Sequence, residues 1–161
     1  MPYRVEWSRA ADDPQPLAYL DSEHNRSRGA LDLKLQTYLQ TAQMRAAGEA
    51  PYLLGTSNFA QSYWSTAQMV THHTINGCNL QPGDFFGSGT QSGTRANELG
   101  SMLEITRGGK QELTLPNGEV RKFLADGDCI IMSGYCEKPG AARVGFGSAS
   151  ASATIVPARA I

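Results

Sequence analysis

The sequence predicts a mainly β domain of the α+β class with one long helix at about 58–76. Residues 30–39 alternate apolar and polar side chains with a period of two, which marks a half-buried strand. Segment 112–124 carries Asn-Gly between two apolar runs, a pattern typical of a tight hairpin turn. Residues 129–132 are continuously apolar and predict a buried strand. Strand signals therefore outnumber helix signals.

Length, composition and net charge indicate the class of protein and the partners to expect. The chain has 161 residues, of which 40% are hydrophobic, so we expect a single domain, 1–161, with a sizeable core. The net charge of −1 and the lack of a basic run argue against a nucleic-acid partner. The sequence has neither an 18-residue apolar run nor the apolar centre of a signal peptide at its start. We expect no membrane partner and a cytoplasmic location.

The three cysteines are Cys78, Cys129 and Cys136, and they form no C-x-x-C pair. An odd number without such a pair is typical of reduced thiols in a cytoplasmic protein. Because free cysteine is usually buried, we predict plain structural thiols at all three positions.

The first third of the chain contains weaker signals. Residues 1–16 are polar and proline-containing, and we expect an extended arm. A short strand is predicted at 17–20, followed by a charged connector at 21–29. Residues 41–50 are alanine-rich and form either a helical turn or a loop insertion.

The predicted long helix has candidate signals at both ends. Ser57 and Asn58 are N-cap candidates, and Asn76-Gly77 is a typical C-terminal stop. The apolar stripe between them recurs at spacings of three and four and consists of Phe59, Tyr63, Ala67, Val70 and Thr74. These signals predict a helix of about four or five turns.

Beyond this helix we expect strands. Residues 85–86 lie in a short apolar run, and 99–106 form a strand candidate. A final strand is predicted at 143–153, and the overlapping tail at 149–160 is small and apolar. Residues 83–89 and 127–134 resemble each other, since each has a turn, an apolar run and then Ser-Gly. This echo predicts two strands entered by similar turns.

A Gly/Ser/Thr loop at 87–94 is the first candidate site. It lacks the Gly-Lys-Ser/Thr of a P-loop and the glycine spacing of a dinucleotide site, and the chain has no Gly-x-Ser-x-Gly elbow. Two interpretations remain open. The loop is a plain turn, or its backbone N–H groups and the Thr90 hydroxyl bind an oxyanion or a carboxylate.

Glu104 is the second candidate, a single acid in the apolar strand predicted at 99–106. Either it faces solvent, or its carboxylate orients the imidazole of a catalytic histidine. The histidines are His24, His72 and His73. Adjacent residues on a helix point about 100° apart, so we expect packing or capping roles for His72 and His73 rather than one shared metal. The sequence shows no complete metal-ligand pattern.

Several motifs together resemble a known family. They are Ser57-Asn58-Phe59, Tyr63-Trp64, the block 71–84 that contains Thr-His-His-Thr-Ile-Asn-Gly-Cys-Asn, Ser88-Gly89-Thr90, Gly100-Ser101-Met102-Leu103-Glu104, Arg121-Lys122-Phe123-Leu124 with Asp126-Gly127-Asp128, Gly134-Tyr135-Cys136, and Gly145-Phe146-Gly147. Over about 14–157 the chain closely resembles the C-terminal portion of the catalytic domain of the fumarylacetoacetase (fumarylacetoacetate hydrolase) family. The resemblance implies a mixed β-sandwich roll. It also implies hydrolysis of the carbon–carbon bond of fumarylacetoacetate to fumarate and acetoacetate, the last step of tyrosine and phenylalanine catabolism.

The resemblance also assigns roles to two residues. Glu104 matches the acidic member of the Glu–His dyad that activates water in this family, and Thr90 matches a threonine that contacts the substrate. The family uses a divalent cation, Mg²⁺ or Ca²⁺, and tends to form homodimers.

The chain departs from the family pattern in its catalytic residues. The family's catalytic histidine and metal-binding acids lie upstream of the matched portion, and none of the three histidines here falls at the catalytic position. We therefore expect no metal ligands in this chain and an incomplete site when it is alone. Two alternatives stay open: a non-catalytic fragment or subunit that pairs with a separate N-terminal half, or a related acylpyruvate or diketone hydrolase.

Overall fold

The fold is organised by one antiparallel sheet and four short α-helices. The computed structural model describes residues 2–145 and 151–159. The strands are β1 (Arg4–Val5), β2 (Ala30–Leu31), β3 (Lys34–Gln40), β4 (Tyr52–Asn58), β5 (Leu113–Thr114), β6 (Val120–Arg121), β7 (Cys129–Cys136), β8 (Val144–Gly145) and β9 (Ala151–Thr154). The helices are α1 (Glu23–Arg28), α2 (Ala42–Ala47), α3 (Thr66–Thr74) and α4 (Met102–Ile105). The predicted α+β class, with strands dominant, is confirmed.

The main sheet has β3 at its centre. β4 and β7 flank β3, and all pairings are antiparallel. A register shift between Thr37 and Tyr38 introduces a bulge into the β3–β4 pair. The far side of β7 is shared, because β9 pairs with its first half and β8 with its last two residues. The strand predicted at 129–132 is thus confirmed as part of β7.

The alternating segment 30–39 forms two strands rather than one. Leu33 N–H donates to Leu31 O at 2.8 Å, and this tight turn separates β2 from β3. Leu39 is completely buried near the end of β3, as the alternation predicts. β2 pairs instead with β1 and so fastens the start of the chain to the domain.

The arm at 1–16 is anchored at Trp7. Its indole Nε1 donates to Tyr63 O at 3.0 Å, and its backbone N–H donates to Arg26 O at 2.9 Å. Trp7 is 5% exposed, so burial of the ring stabilises this attachment by roughly 2 kcal/mol.

Two predictions for the following residues are wrong. Residues 17–20 hold a 3₁₀ helix, Ala18–Leu20, where a strand was expected. The connector at 21–29 contains α1, because the Ser22 hydroxyl accepts the Asn25 N–H at 3.1 Å and caps the helix. At 41–50 the helical alternative is correct, with Thr41 as the N-cap of α2.

The prediction of a long helix at 58–76 is also wrong about where the helix begins. Asn58 ends β4, where it pairs with Lys34, and caps a 3₁₀ helix at Phe59–Gln61. The α-helix begins only after Ser65, which forms a capping box with Gln68. Sheet pairing through Asn58 therefore overrides the apolar stripe. α3 ends at Thr74, two residues before the predicted end, and Gly77 follows with a positive φ of 90°.

The hairpin predicted at 112–124 exists as β5 and β6, but its turn differs. Leu115 N–H donates to Glu119 O and Gly118 N–H donates to Leu115 O, which leaves a three-residue loop at 116–118. Within this loop only Gly118 has a positive φ, at 86°, so the two-residue turn expected from Asn-Gly is not formed.

The echo between 83–89 and 127–134 holds for the turns only. Asp84 Oδ2 accepts the Gln81 N–H at 2.8 Å, and Asp128 Oδ2 accepts the Ala125 N–H at 2.9 Å. β7 follows the second turn, whereas 85–91 follow the first without a strand assignment. Phe85 there is 99% exposed, so the strand expected at 85–86 is wrong.

The last predicted strand, 143–153, appears as β8 and β9. Three parts of the chain lie outside the described residues, namely Met1, 146–150 and 160–161. They include the first residue of the predicted arm, the middle of the predicted final strand and parts of the predicted tail. Cys129 and Cys136 are buried as predicted, but Cys78 is exposed. No helix in the described ranges is long and apolar enough to span a bilayer.

Candidate active site

Glu104 lies on a short helix, not on the strand predicted at 99–106. The Ser101 hydroxyl accepts the Glu104 N–H at 3.2 Å and so begins α4. The spacing Ser-x-x-Glu is a sequence signature of a helix start, and the strand prediction for 99–106 did not take it into account. The Glu104 side chain is exposed at the surface of the domain.

The Glu104 carboxylate accepts hydrogen bonds from three neighbouring residues. The Ser92 hydroxyl is 2.9 Å from both Oε1 and Oε2. Oε2 also accepts from the Gly100 N–H and the Ser101 hydroxyl, each at 3.1 Å. These donors fix the plane and position of the carboxylate.

The two carboxylate oxygens are used unequally. Among the described residues, Oε2 faces three donors, from Ser92, Gly100 and Ser101, whereas Oε1 has one, from Ser92. An ionised carboxylate has about four acceptor positions. Oε1 therefore retains room for a further donor, such as an imidazole N–H.

Thr90 and Glu104 meet at Gly100. A Cβ on Gly100 would lie 2.6 Å from Thr90 Cγ2 and 2.4 Å from Gln91 O, so only glycine fits between these groups. The Gly100 N–H bonds Glu104, as described above. Both predicted site residues thus have Gly100 as a neighbour, and both side chains are exposed.

The loop 93–98 fastens this site to the edge of the main sheet. Gly93 N–H donates to Glu98 O at 2.7 Å and closes the loop. Thr56 N–H, on β4, donates to Asn97 O at 3.0 Å. A Cβ on Gly55 would lie 2.8 Å from Leu99 O. The backbone at Leu99 therefore passes close to β4 at Gly55, where a side chain would not fit. Beneath α4 remains a cavity of about 190 Å³, lined by apolar residues of the sheet such as Ile130 and Met132.

The histidines lie elsewhere. His72 Nδ1 is 2.8 Å from the Tyr19 hydroxyl, and His73 Nε2 is 3.2 Å from Cys78 Sγ. Among the residues that the structure describes, no histidine hydrogen-bonds to Glu104. The two adjacent histidines have different hydrogen-bond partners.

A divalent cation does not fit this site as it stands. Within 2–145 and 151–159, no three His, Cys, Asp or Glu side chains are grouped so that they could hold a metal ion. The groups around Glu104 are hydroxyls and an N–H, whereas Mg²⁺ and Ca²⁺ need about six or more oxygen ligands.

Comparisons with known proteins show which proteins the chain is similar to. A family model described as "Fumarylacetoacetate (FAA) hydrolase C-terminal" matches residues 21–148. The chain is 42% identical over 147 residues to fumarylacetoacetase from Bos taurus and likewise to that from Homo sapiens, covering 91% of this chain and 33% of each relative. Identity to the Caenorhabditis elegans fumarylacetoacetase is 43% over 147 residues, with 91% and 32% covered.

The chain thus spans about a third of the length of the curated relatives it matches. The family model covers most of the chain and includes Thr90, Gly100 and Glu104. On this basis the chain belongs to the fumarylacetoacetate hydrolase C-terminal family.

Proposed function

We propose that this chain supplies the acidic half of a catalytic dyad in a hydrolase that cleaves the carbon–carbon bond of fumarylacetoacetate. The observation that carries the proposal is the Glu104 carboxylate, held by Ser92, Gly100 and Ser101, with an acceptor position left on Oε1 beside the Ser92 contact. The relatives named fumarylacetoacetase support the choice of substrate.

In this proposal Glu104 acts on water through a histidine. An imidazole N–H donates to Oε1, which leaves the second ring nitrogen free to take a proton from water. The resulting hydroxide attacks the ketone carbon next to the fumaryl double bond. The electrons of the broken carbon–carbon bond pass to acetoacetate, which takes the proton back from the imidazolium. The Glu104 charge stabilises that imidazolium and holds the required tautomer.

The histidine has to come from another segment or another chain. His72 and His73 are bonded to Tyr19 and Cys78, away from Glu104. A complementing N-terminal half would supply the histidine and the ligands of a divalent cation. Homodimer formation is the alternative assembly, and it would add no histidine other than second copies of His24, His72 and His73. These partners are part of the proposal.

Thr90 is proposed as a substrate contact. Its methyl group lies close to Gly100, whose N–H donates to Glu104 Oε2 at 3.1 Å. A hydroxyl there would donate to a carbonyl or carboxylate oxygen of a small anionic substrate. The free thiols of Cys78, Cys129 and Cys136 support the proposed cytoplasmic location.

The test is loss of fumarylacetoacetate in the presence of Mg²⁺ or Ca²⁺. The purified chain alone should show no turnover, whereas mixing it with a polypeptide that covers the remaining length of a relative should restore turnover. Turnover by the chain alone would refute the need for an external histidine. Failure of the mixture, despite a demonstrated complex, would favour the non-catalytic subunit. Preference for another acylpyruvate would favour a related diketone hydrolase.

A further inference from the structure

The C-terminal end of α3 places an exposed thiol beside an imidazole. Cys78 Sγ lies 3.2 Å from His73 Nε2, within the distance of a hydrogen bond to sulfur. Both side chains are exposed, so the pair is open to reagents in solution. The proposed hydrolysis uses neither residue.

Local contacts hold both members of the pair. The Asn76 side chain accepts the Cys78 N–H at 3.2 Å, which fixes the turn after α3. The His73 ring meets the Phe86 ring edge to face, with centroids 5.2 Å apart. The pair is therefore an arrangement of nucleophile and base that neighbouring contacts support.

A cavity of about 450 Å³ opens next to His73. Its walls come from His73 and from the segment that follows Cys78, including Leu80, Asp84, Phe85 and Phe86. The rings of Phe85 and Phe86 offer an apolar surface to a small planar molecule, since they are 99% and 39% exposed. A compound seated there lies beside the base that serves the thiol.

The other two thiols differ from Cys78. Cys129 and Cys136 are both buried in β7. Burial raises the pKa of the Cys136 thiol, and the nearby Asp32 charge adds to the effect. Buried thiols of this kind are inert, so the fold itself separates one accessible thiol from two protected ones.

We propose that Cys78 is a modification site for α,β-unsaturated carbonyl compounds, with His73 as the proton acceptor. His73 with its own proton on Nδ1 presents Nε2 as an acceptor to the thiol. The sulfur forms a bond to the β-carbon of the alkene while the thiol proton passes to His73. The π electrons move to the α-carbon, which then takes a proton from the imidazolium. The net result is addition of S–H across the double bond, without an oxidant or a reductant.

The probe is N-ethylmaleimide, a small planar activated alkene. Limiting reagent is added to the whole chain at neutral pH, and peptide mass spectrometry gives a rate for each cysteine. Cys78 should react at least about tenfold faster than N-acetylcysteine, because a positioned base contributes roughly 100-fold or more when fully effective. Cys129 and Cys136 should react only after denaturation. A Cys78 rate equal to or below that of N-acetylcysteine, or equal labelling of all three cysteines, would overturn the proposal without any variant.

Matched variants separate chemistry from structure. His73→Asn should lower the Cys78 rate about tenfold, whereas His72→Asn, one residue away and bonded to Tyr19, should leave it unchanged. Added imidazole should restore part of the rate in His73→Ala, which loss of a purely structural contact would not allow. An unchanged Cys78 rate in His73→Asn would remove His73 from the mechanism. These measurements involve no turnover, so their outcome does not depend on whether the proposed hydrolysis is correct.

Discussion

Replacing Gly100 by alanine tests the geometry of the Glu104 site most sharply. The added Cβ would lie 2.4 Å from Gln91 O, 2.6 Å from Thr90 Cγ2 and 2.9 Å from Gln91 C. Two of these neighbours are backbone atoms, which cannot rotate away. Relief therefore requires that segment 90–91 separate from Gly100, which donates its N–H to Glu104 Oε2.

The size of the effect follows from comparable overpacking. Forcing one extra methyl group into a close-packed contact costs about 1–3 kcal/mol. We take about 2 kcal/mol, because the clash involves two backbone atoms although the loop is exposed on its outer side. For a domain of this size that corresponds to a fall in Tm of about 4–8 °C.

The assay is thermal and urea unfolding followed by circular dichroism. The matched control is Gly87→Ala in the same loop, where a Cβ meets nothing within 4 Å. The control should be neutral or more stable by up to about 1 kcal/mol, since alanine restricts the unfolded chain. If Gly100→Ala were as stable as Gly87→Ala, the contact between 90–91 and Gly100 described here would be wrong.

Two further predictions concern the polar network beside β7. Asp128 is fully buried and binds Arg121 through both oxygens, at 2.8 and 3.0 Å. Asp128→Asn should lower the free energy of unfolding, measured with urea, by about 3 kcal/mol, because the Arg121 guanidinium loses its buried charged partner. A loss of less than about 1 kcal/mol would contradict this. The Thr41 hydroxyl, as the largest cause, holds the pKa of Glu119 below its ordinary value of 4.5. Stability from Glu119 is thus full above that value and lost as pH falls through the lower folded pKa. Glu119→Gln should lose less unfolding free energy than wild type between about pH 7 and about pH 3, and equal losses would contradict it.

Parts of the fold follow from local pattern alone. Alternation predicted β3, continuous apolar residues predicted β7, and Asn76-Gly77 predicted the end of α3. In each of these cases the local preference and the tertiary environment agree. The Thr90 and Glu104 assignments came from the family resemblance, since an exposed acid in an apolar run has no distinctive local signal.

The failures have physical causes that can be named. The stripe from Phe59 onward fits a helix, but Asn58 is held in the sheet by β3, and local spacing does not report that pairing. The better signal was Ser65-x-x-Gln68, the capping box that begins α3. Ser101-x-x-Glu104 is the same signal for α4. In both regions the capping pattern marks the observed helix start, and predictions from hydrophobic periodicity missed it.

The most direct test of the account is the rate of fumarylacetoacetate cleavage by the complemented assembly with Glu104→Gln. Gln keeps the shape but cannot stabilise an imidazolium, so kcat should fall about a thousandfold or more, while complex formation should be unchanged. Glu112→Gln, an exposed acid paired with Lys122 at 3.4 Å, is the matched control and should keep full activity. A Glu104→Gln assembly that retained more than about a tenth of the wild-type rate would contradict the dyad role of Glu104.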